Sequence, residues 1–447
     1  MEAMKDSGNR WIGQIPLSWD TKRIKYLATL KGRIGWQGLT SDEYQDEGAF
    51  LITGVDFRNG GIDWESCEHV PMKRWEEAKD IQIKNGDLLI TKDGTIGKVA
   101  IVSDMPGETS LNSGVLRIMT YEGYNRKYLY WVLQSEVFWN WFNYKNSGNS
   151  TIQHLYQGDF AEFVYSYPQS EEQQAIADFL DDKCGQIDGI IADIEQQIEL
   201  LKNYKKSLIT ETVTKGLDKN VNMKYSGVEW IGKIPEHWDV KRLKYVLENG
   251  EMRVGPFGST LSTTDYVENG KWVYNQRLVL DENFKENDIC ISDDKYKELI
   301  GFRVFPGDVL ITTRGTIGKT TIVPEGAPEG VLHPCIIRFR TDKEKTSNEL
   351  IRLIFNETDL LKNQVEYMSN STTIEVIYSY SLKEVSVPVI PYEEQKIIIS
   401  CIKEKMSYFD SIIATKQTQL TQMQQHKKSL IYEYVTGKKR VGGFGNE

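Results

Sequence analysis

The chain repeats itself, and that limits its possible folds more than any other feature. Trp11 to Leu27 reads WIGQIPLSWDTKRIKYL and returns as WIGKIPEHWDVKRLKYV from Trp230 to Val246, with 11 of 17 positions identical. Ordinary residue frequencies would give about one identity. LTSDEYQDEG from Leu39 to Gly48 faces LSTTDYVENG from Leu261 to Gly270. GDLLITKDGTIGKVAIV from Gly86 to Val102 faces GDVLITTRGTIGKTTIV from Gly307 to Val323, with 12 of 17 identical. STIQHLY (Ser150 to Tyr156) and TTIEVIY (Thr372 to Tyr378) correspond more weakly. EEQ and KKSLI recur 222 residues on, at Glu393 to Gln395 and Lys427 to Ile431. Order and spacing hold throughout, so a unit of about 220 residues has been duplicated.

Each unit reads as a mixed globular part followed by a long helix. DLLIT, KVAIV and DVLIT are short β-rich runs bounded by Gly, Asp and Pro, the chemistry of strands and turns. Arg126 to Tyr144 has helical periodicity and a heavy aromatic load, which predicts a core-packing helix. After Pro168, SEEQQ opens a helix with Ser170 as N-cap and Glu171 and Glu172 set against the dipole. Leu180, Ile187, Ile194, Leu201 and Leu208 fall seven apart, with Cys184, Ile191 and Ile198 as the second seam. That is an a/d pattern sustained over about four heptads. Gly185 and Gly189 weaken its start by about 1 kcal/mol each. Ile399, Ile402, Met406, Phe409, Ile413, Leu420, Met423 and Leu430 carry the second copy, interrupted at Lys416.

A helix from Glu171 to Thr214 would be about 66 Å long and would aggregate unless its stripe were covered. The duplicated helix is the obvious cover. Two copies of one surface pack about a twofold axis, which predicts an antiparallel coiled coil with the globular parts at opposite ends. The expected fold class is therefore α+β: two mixed α/β domains in tandem pseudo-repeat, joined by two long helices. The expected boundaries are 1–168, 169–217 for the central helix, 218–390, and 391–447 for the distal helix and tail.

Composition enters as an objection to any nucleic-acid role. Lys and Arg total 54 against 64 for Asp and Glu, a net charge of −10, whereas nucleic-acid binders are usually basic. The count divides unevenly. Residues 171–216 carry 5 basic and 10 acidic groups, and residues 393–440 carry 9 and 5. Half the deficit thus lies in one helix, opposite a basic partner. No apolar run approaches a membrane span, the start lacks a signal-peptide core, and five scattered cysteines suit a reducing compartment. A cytoplasmic protein is expected.

Several chemistries fail on spacing. GTIGK at Gly94 to Lys98 and Gly315 to Lys319 lacks the first glycine of a phosphate loop, since Lys92 and Thr313 stand there, and Val99 follows the first lysine. A tight turn between strands fits better, with backbone N–H groups and nearby Lys92, Lys98, Arg314 and Lys319 available to a nucleic-acid phosphate. The Lys22, Arg23, Lys25 and Lys241, Arg242, Lys244 clusters would ordinarily be solvated faces, but their duplication favours an anionic or protein partner. Cys67 with His69 and His333 with Cys335 are the close Cys/His pairs; neither makes a four-ligand metal pattern. There is no G-x-S-x-G and no Pro-Pro dipeptide, which removes the [DNS]-P-P-[FYW] motif of amino-group DNA methyltransferases.

With these residues in place, the whole chain resembles the specificity subunit of a type I restriction-modification system. The resemblance rests on WIGQIP and WIGKIPEHW with KR-x-KY, on GD-x-LIT-x-x-GTIGK, and on the EEQ helix starts followed by KKSLI. GRIGWQGLTSDEY and GPFGSTLSTTDY look like openings of two target-recognition-domain types. The resemblance implies that each domain reads one half of a bipartite double-stranded DNA target. It implies that the helices space the domains and dock two methyltransferase subunits carrying S-adenosylmethionine. Two restriction-translocase subunits using ATP and Mg could join. The chain itself would catalyse nothing and hold no metal or cofactor. A coiled-coil scaffold with protein-binding ends and no DNA role is the alternative.

The two units differ most over Lys31 to Lys84 and Glu251 to Phe305, so unlike half-sites are expected. Base readers should come from those divergent loops: Arg33, Trp36, Gln37 and Arg58 in the first unit, and Arg253, Phe257, Asn275, Gln276 and Arg277 in the second. Phosphate contacts are expected from the basic clusters, the turns, and the polar loops carrying Thr151 and Thr373.

Overall fold

The computed structural model describes residues 3–33, 39–147, 153–257, 260–287, 289–369 and 376–444. The chain divides into two compact units, one formed by Met1–Glu195 with Thr418–Glu447 and the other by Gln196–Gln417. Each unit therefore holds one globular part and a portion of both long helices.

In the first unit, a four-stranded antiparallel sheet runs in the order Val99–Ile101, Leu88–Thr91, Val115–Thr120, Ala28–Gly32. A second sheet places Ala49–Ile52 between Thr109–Leu111, which is parallel to it, and Glu68–Val70, which is antiparallel. The LLIT run is apolar at consecutive positions because its two faces serve two cores. Leu88 and Ile90 join the cluster of Trp19, Phe138 and Phe163, while Leu89 joins Ile52 and Leu111. A strand buried on both faces loses the usual alternation.

The second unit repeats this plan. Its four-stranded sheet runs Thr320–Ile322, Val309–Thr312, Ile336–Thr341, Leu247–Val254. Its second sheet keeps the parallel pair, Lys271–Tyr274 with Gly330–Leu332, and its edge strands Tyr266–Val267 and Arg303–Val304 extend pairings that are isolated bridges in the first unit, Gln45 with His69 and Gln82 with Ser110. The clearer difference follows the strand of the parallel pair: the first unit has the hairpin Phe57–Arg58 with Gly61–Ile62, and the second has the helix Gln276–Asp281.

The aromatic segment forms two helices rather than one, Arg126–Gln134 and Glu136–Lys145. Ser135 breaks the run: its backbone is extended, and its hydroxyl accepts from the Val137 N–H at 3.2 Å as the N-cap of the second helix. That pre-empts the continuing helical bonds. Both helices bury their aromatic faces, as expected.

The long helices are Ser170–Lys215 and Tyr392–Val435. Within the first unit, Phe179 meets Tyr434 at 4.4 Å between ring centroids and Asp188 pairs with Lys427 at 2.6 Å. Numbers rise on one helix as they fall on the other, so the pair is antiparallel. In the second unit, Tyr204 meets Phe409 and Lys205 pairs with Asp410 at 2.7 Å. Leu180, Ile187, Ile194, Ile198, Ile402, Phe409 and Ile413 are buried, and Ile191, Leu201, Leu208, Met406, Leu420, Met423 and Leu430 half-buried. Ile399 is half-buried, and the neighbouring Ile398 takes the buried position near the start of the second helix.

Repeated residues fasten helix to globular part. In the first turn of each helix lies a buried glutamine, Gln173 or Gln395. Gln173 donates to the Pro168 carbonyl at 2.8 Å and accepts from the Asn125 N–H at 2.8 Å. Gln395 makes the same pair with Ile390 and Ser347, at 2.7 and 2.9 Å. Beside them, the Trp19 and Trp238 indoles donate to Glu172 and Glu394, at 3.2 and 2.9 Å.

Candidate nucleic-acid interface

The two GTIGK segments fold into the same turn, built by a buried threonine. Thr91 closes the first strand; its hydroxyl donates to the Thr95 carbonyl and accepts from the Lys98 N–H at 3.0 Å. Thr312 donates to Thr316 at 2.6 Å and accepts from Lys319 at 3.1 Å. The Gly97 and Gly318 N–H groups return to the Thr91 and Thr312 carbonyls at 2.9 and 2.8 Å. Both glycines have positive φ, 79° and 77°. A Cβ on Gly97 would meet the Trp139 ring at 2.6 Å, so the motif is held by conformation and by packing.

Other segments converge on this end of each unit. The Lys92 N–H donates to Gly114 and the Leu155 N–H to the Lys92 carbonyl, at 2.8 and 3.0 Å. Their counterparts are Thr313 to Cys335 and Ile377 to Thr313, at 3.0 and 2.9 Å. Gly54 approaches Thr95, whose hydroxyl donates to its carbonyl at 3.1 Å. A Cβ on Gly315 would lie 3.1 Å from the Gln276 amide. The end thus collects the turn, the loop between the two sheets, and the segment after the aromatic helices. Its exposed positions include Lys98, Val55, Tyr156, Arg314, Lys319 and Tyr378. Tyr156 and Tyr378 are equivalent in the repeat, closing the segments STIQHLY and TTIEVIY.

The proposed base readers do not all reach this surface. Arg33 is buried: its Nε donates to the Leu111 carbonyl at 2.8 Å, and burial, aided by Arg74, brings its pKa down to about 10. Asn275 is also buried and serves as the N-cap of Gln276–Asp281, accepting from the Leu278 N–H at 3.0 Å. Arg58 is exposed on a hairpin and pairs with Asp63 at 2.9 Å. Beside that hairpin a cleft of about 360 Å³ is lined by Phe57, Lys98 and Trp139. Phe257 is 61% exposed and Arg277 is exposed with Asp281 at 3.6 Å, while Gln276 is half-buried beside the turn. Arg253 is the penultimate residue of the strand Leu247–Val254, opposite Arg338, in a cleft of about 850 Å³ with Phe305 and Arg340. Trp36, Gln37, Thr151 and Thr373 lie outside the described residues.

The basic clusters sit at the other end of the sheet. The strand Ala28–Gly32 separates Lys25 from Arg33, and Leu247–Val254 separates Lys244 from the second turn. Arg23 and Lys25 both bind Glu162, Arg23 at 3.0 Å. Arg242 and Lys244 both bind Glu384, each at 2.6 Å. The Lys25 ammonium, with Arg23, holds the Glu162 carboxyl below its ordinary value, and Lys244 with Arg242 does the same to Glu384. Lys22 and Lys241 remain exposed, and a hydrogen bond to Tyr167 raises the Lys22 pKa. Each cluster is therefore largely an ion-paired brace. His333 Nδ1 lies 2.8 Å from the Cys335 sulfur. No cluster of three or more His, Cys, Asp or Glu able to hold a metal occurs among the described residues. Nor is any helix among them long and apolar enough to cross a membrane.

Two like frameworks, each ending in a rigid turn ringed by unlike loops, define a duplicated recognition protein mounted on paired helices. Its family is matched directly. The type I restriction modification DNA specificity domain matches twice, over residues 16–200 and 235–424, and the chain belongs to that family as a type I specificity subunit. It is 26% identical over 442 residues to the specificity subunit assigned to the type I restriction enzyme MjaX of Methanocaldococcus jannaschii, covering 96% of each chain. It is 25% identical to the MjaVIII specificity subunit of the same organism, covering 96% of this chain and 94% of the relative. A chain from a structural study of complex assembly and conformational transition in a type I R-M system shares the fold. The TM-score is 0.69 at 14% identity, covering 95% of this chain and 99% of that one.

Proposed function

We propose that each globular part reads one half of a bipartite, asymmetric double-stranded DNA target in the cytoplasm. The long helices set the spacing and dock two methyltransferase subunits; up to two restriction-translocase subunits can join them. Catalysis belongs to the partners: S-adenosylmethionine is held by the methyltransferase, and ATP and Mg by the translocase. One observation carries the reading. The turn is held by the same hydrogen bonds in both units, while the loop beside it differs in sequence and forms a hairpin in the first unit and a helix in the second. A shared framework suits a DNA backbone, which is alike everywhere, and differing loops suit two different base sequences.

The test is co-expression with a cognate methyltransferase subunit, followed by methylome sequencing. A new bipartite methylated motif is expected, and an active methyltransferase that produces none would contradict the reading. Exchanging residues 1–168 for those of another family member should change one half-site and leave the other intact. DNA binding by the assembled complex should weaken steeply as salt rises, since released counterions drive it.

A further inference from the structure

The two turns share their main backbone hydrogen bonds and differ at two side chains. They share the threonine lock, the return bond from the second glycine, and the bonds to Gly114 or Cys335 and from Leu155 or Ile377. Gly94 and Gly315 have φ of 69° and 64°. Of the two positions that differ, Lys92 and Thr313 are tied in by their backbones, and Thr313 is buried. The other is the residue just before the left-handed glycine: Asp93 in the first unit and Arg314 in the second. The same scaffold thus presents a carboxylate in one unit and a guanidinium in the other.

Neither side chain is absorbed into the core. Asp93 Oδ1 lies 2.6 Å from His154 Nδ1, and the two side chains stay 41% and 40% exposed. Arg314 is exposed, and its backbone is fixed by a bridge to Val376. A carboxylate facing DNA is repelled by phosphates, so a backbone contact is the wrong role for Asp93. Against base edges the logic reverses. A carboxylate accepts from the exocyclic amino group of cytosine or adenine, and an arginine fork donates to guanine O6 and N7. The imidazole would orient the Asp93 carboxylate, as a partner fixes any reading group that must not rotate.

We infer that Asp93 and Arg314 are equivalent base-reading positions of opposite preference. Asp93 takes an amino-bearing base in the half-site of the first unit, and Arg314 takes guanine in that of the second. This rests on the DNA-reading role proposed above, and it moves Arg314 from the phosphate contacts to the readers.

The test is methylome sequencing of cells carrying the methyltransferase subunit with the wild-type chain, Asp93→Ala or Arg314→Ala. Wild type should give a bipartite motif. Asp93→Ala should relax one position of one half-site, lowering discrimination there about tenfold or more, and leave the other half-site unchanged. Arg314→Ala should relax a guanine in the other half-site. The untouched half-site reports in each case that the variant has folded and assembled. If both variants methylate the unaltered motif, at full or reduced efficiency, the positions do not read bases and the inference is overturned. A wild type without a bipartite motif overturns the DNA-reading role and this inference together.

Discussion

A carboxylate at the start of each long helix, buried in the first and half-buried in the second, shows how repeated residues can have different partners. Glu172, with its side chain 5% exposed, accepts from the Trp19 indole and from Arg440 Nη2, the latter at 2.8 Å. Glu394 accepts from the Trp238 indole and lies 2.9 Å from His237, whose side chain is 49% exposed. Removing one partner of a buried pair leaves an uncompensated charge. Arg440→Met should therefore destabilise the first unit by about 3 kcal/mol and leave the second unchanged, measured by denaturant unfolding with a probe in each. The braces make a different prediction. Glu162 and Glu384 have depressed pKa values, so the stability they add is present above their unfolded value of about 4.3 and is lost as pH falls below it. Glu162→Gln with Glu384→Gln should flatten the acid limb of the stability profile. Neither carboxylate was legible as a partner, because each comes from 137 to 142 residues away along the chain. Arg33 was misleading for a related reason: a charged residue in a divergent loop reads as exposed until its acceptors, Leu111 and Ser110, are known.

Among elements, the turn and the long helices were the most legible, since each is specified by local pattern. The turn's two glycines should nonetheless differ in cost. A Cβ on Gly94 meets nothing within 4 Å, so Gly94→Ala carries only the left-handed penalty of about 1–2 kcal/mol. Gly97→Ala adds the collision with Trp139 and should lose clearly more in thermal melts. The helix glycines should behave oppositely. Gly185 and Gly189 are exposed, helical and open around their Cβ positions. Gly185→Ala and Gly189→Ala should each stabilise by about 1 kcal/mol. Should either substitution instead weaken assembly with the methyltransferase, that open face would be marked as a docking surface. The short edge strands of the second unit could not be foreseen, because runs such as Arg303–Val304 are two residues long and acquire strand geometry only from a neighbour.

For the whole chain, duplication made the plan readable while the readers stayed hidden. Matched segments locate a framework by identity; the bases they serve are set by unmatched residues whose exposure depends on distant packing. Net charge sharpens the functional expectation. The long helices carry opposite excesses, and the globular parts stay mildly acidic. The isolated chain should therefore bind DNA weakly at physiological salt, and adding the methyltransferase should tighten binding by at least tenfold in a gel-shift titration.

The placement of Thr418–Glu447 in the first unit also sets an order of events during synthesis. The first domain leaves the ribosome with the apolar face of Ile176 and Leu180 made, whereas Ile431, Val435 and Arg440, which close it, are still untranslated. At about 5–20 residues per second the wait is roughly 10–50 s. Throughout that interval the nascent chain carries an unfinished core, and Arg440 has yet to reach Glu172. It is then most open to chaperones, to proteases and to mispairing with a neighbouring nascent copy.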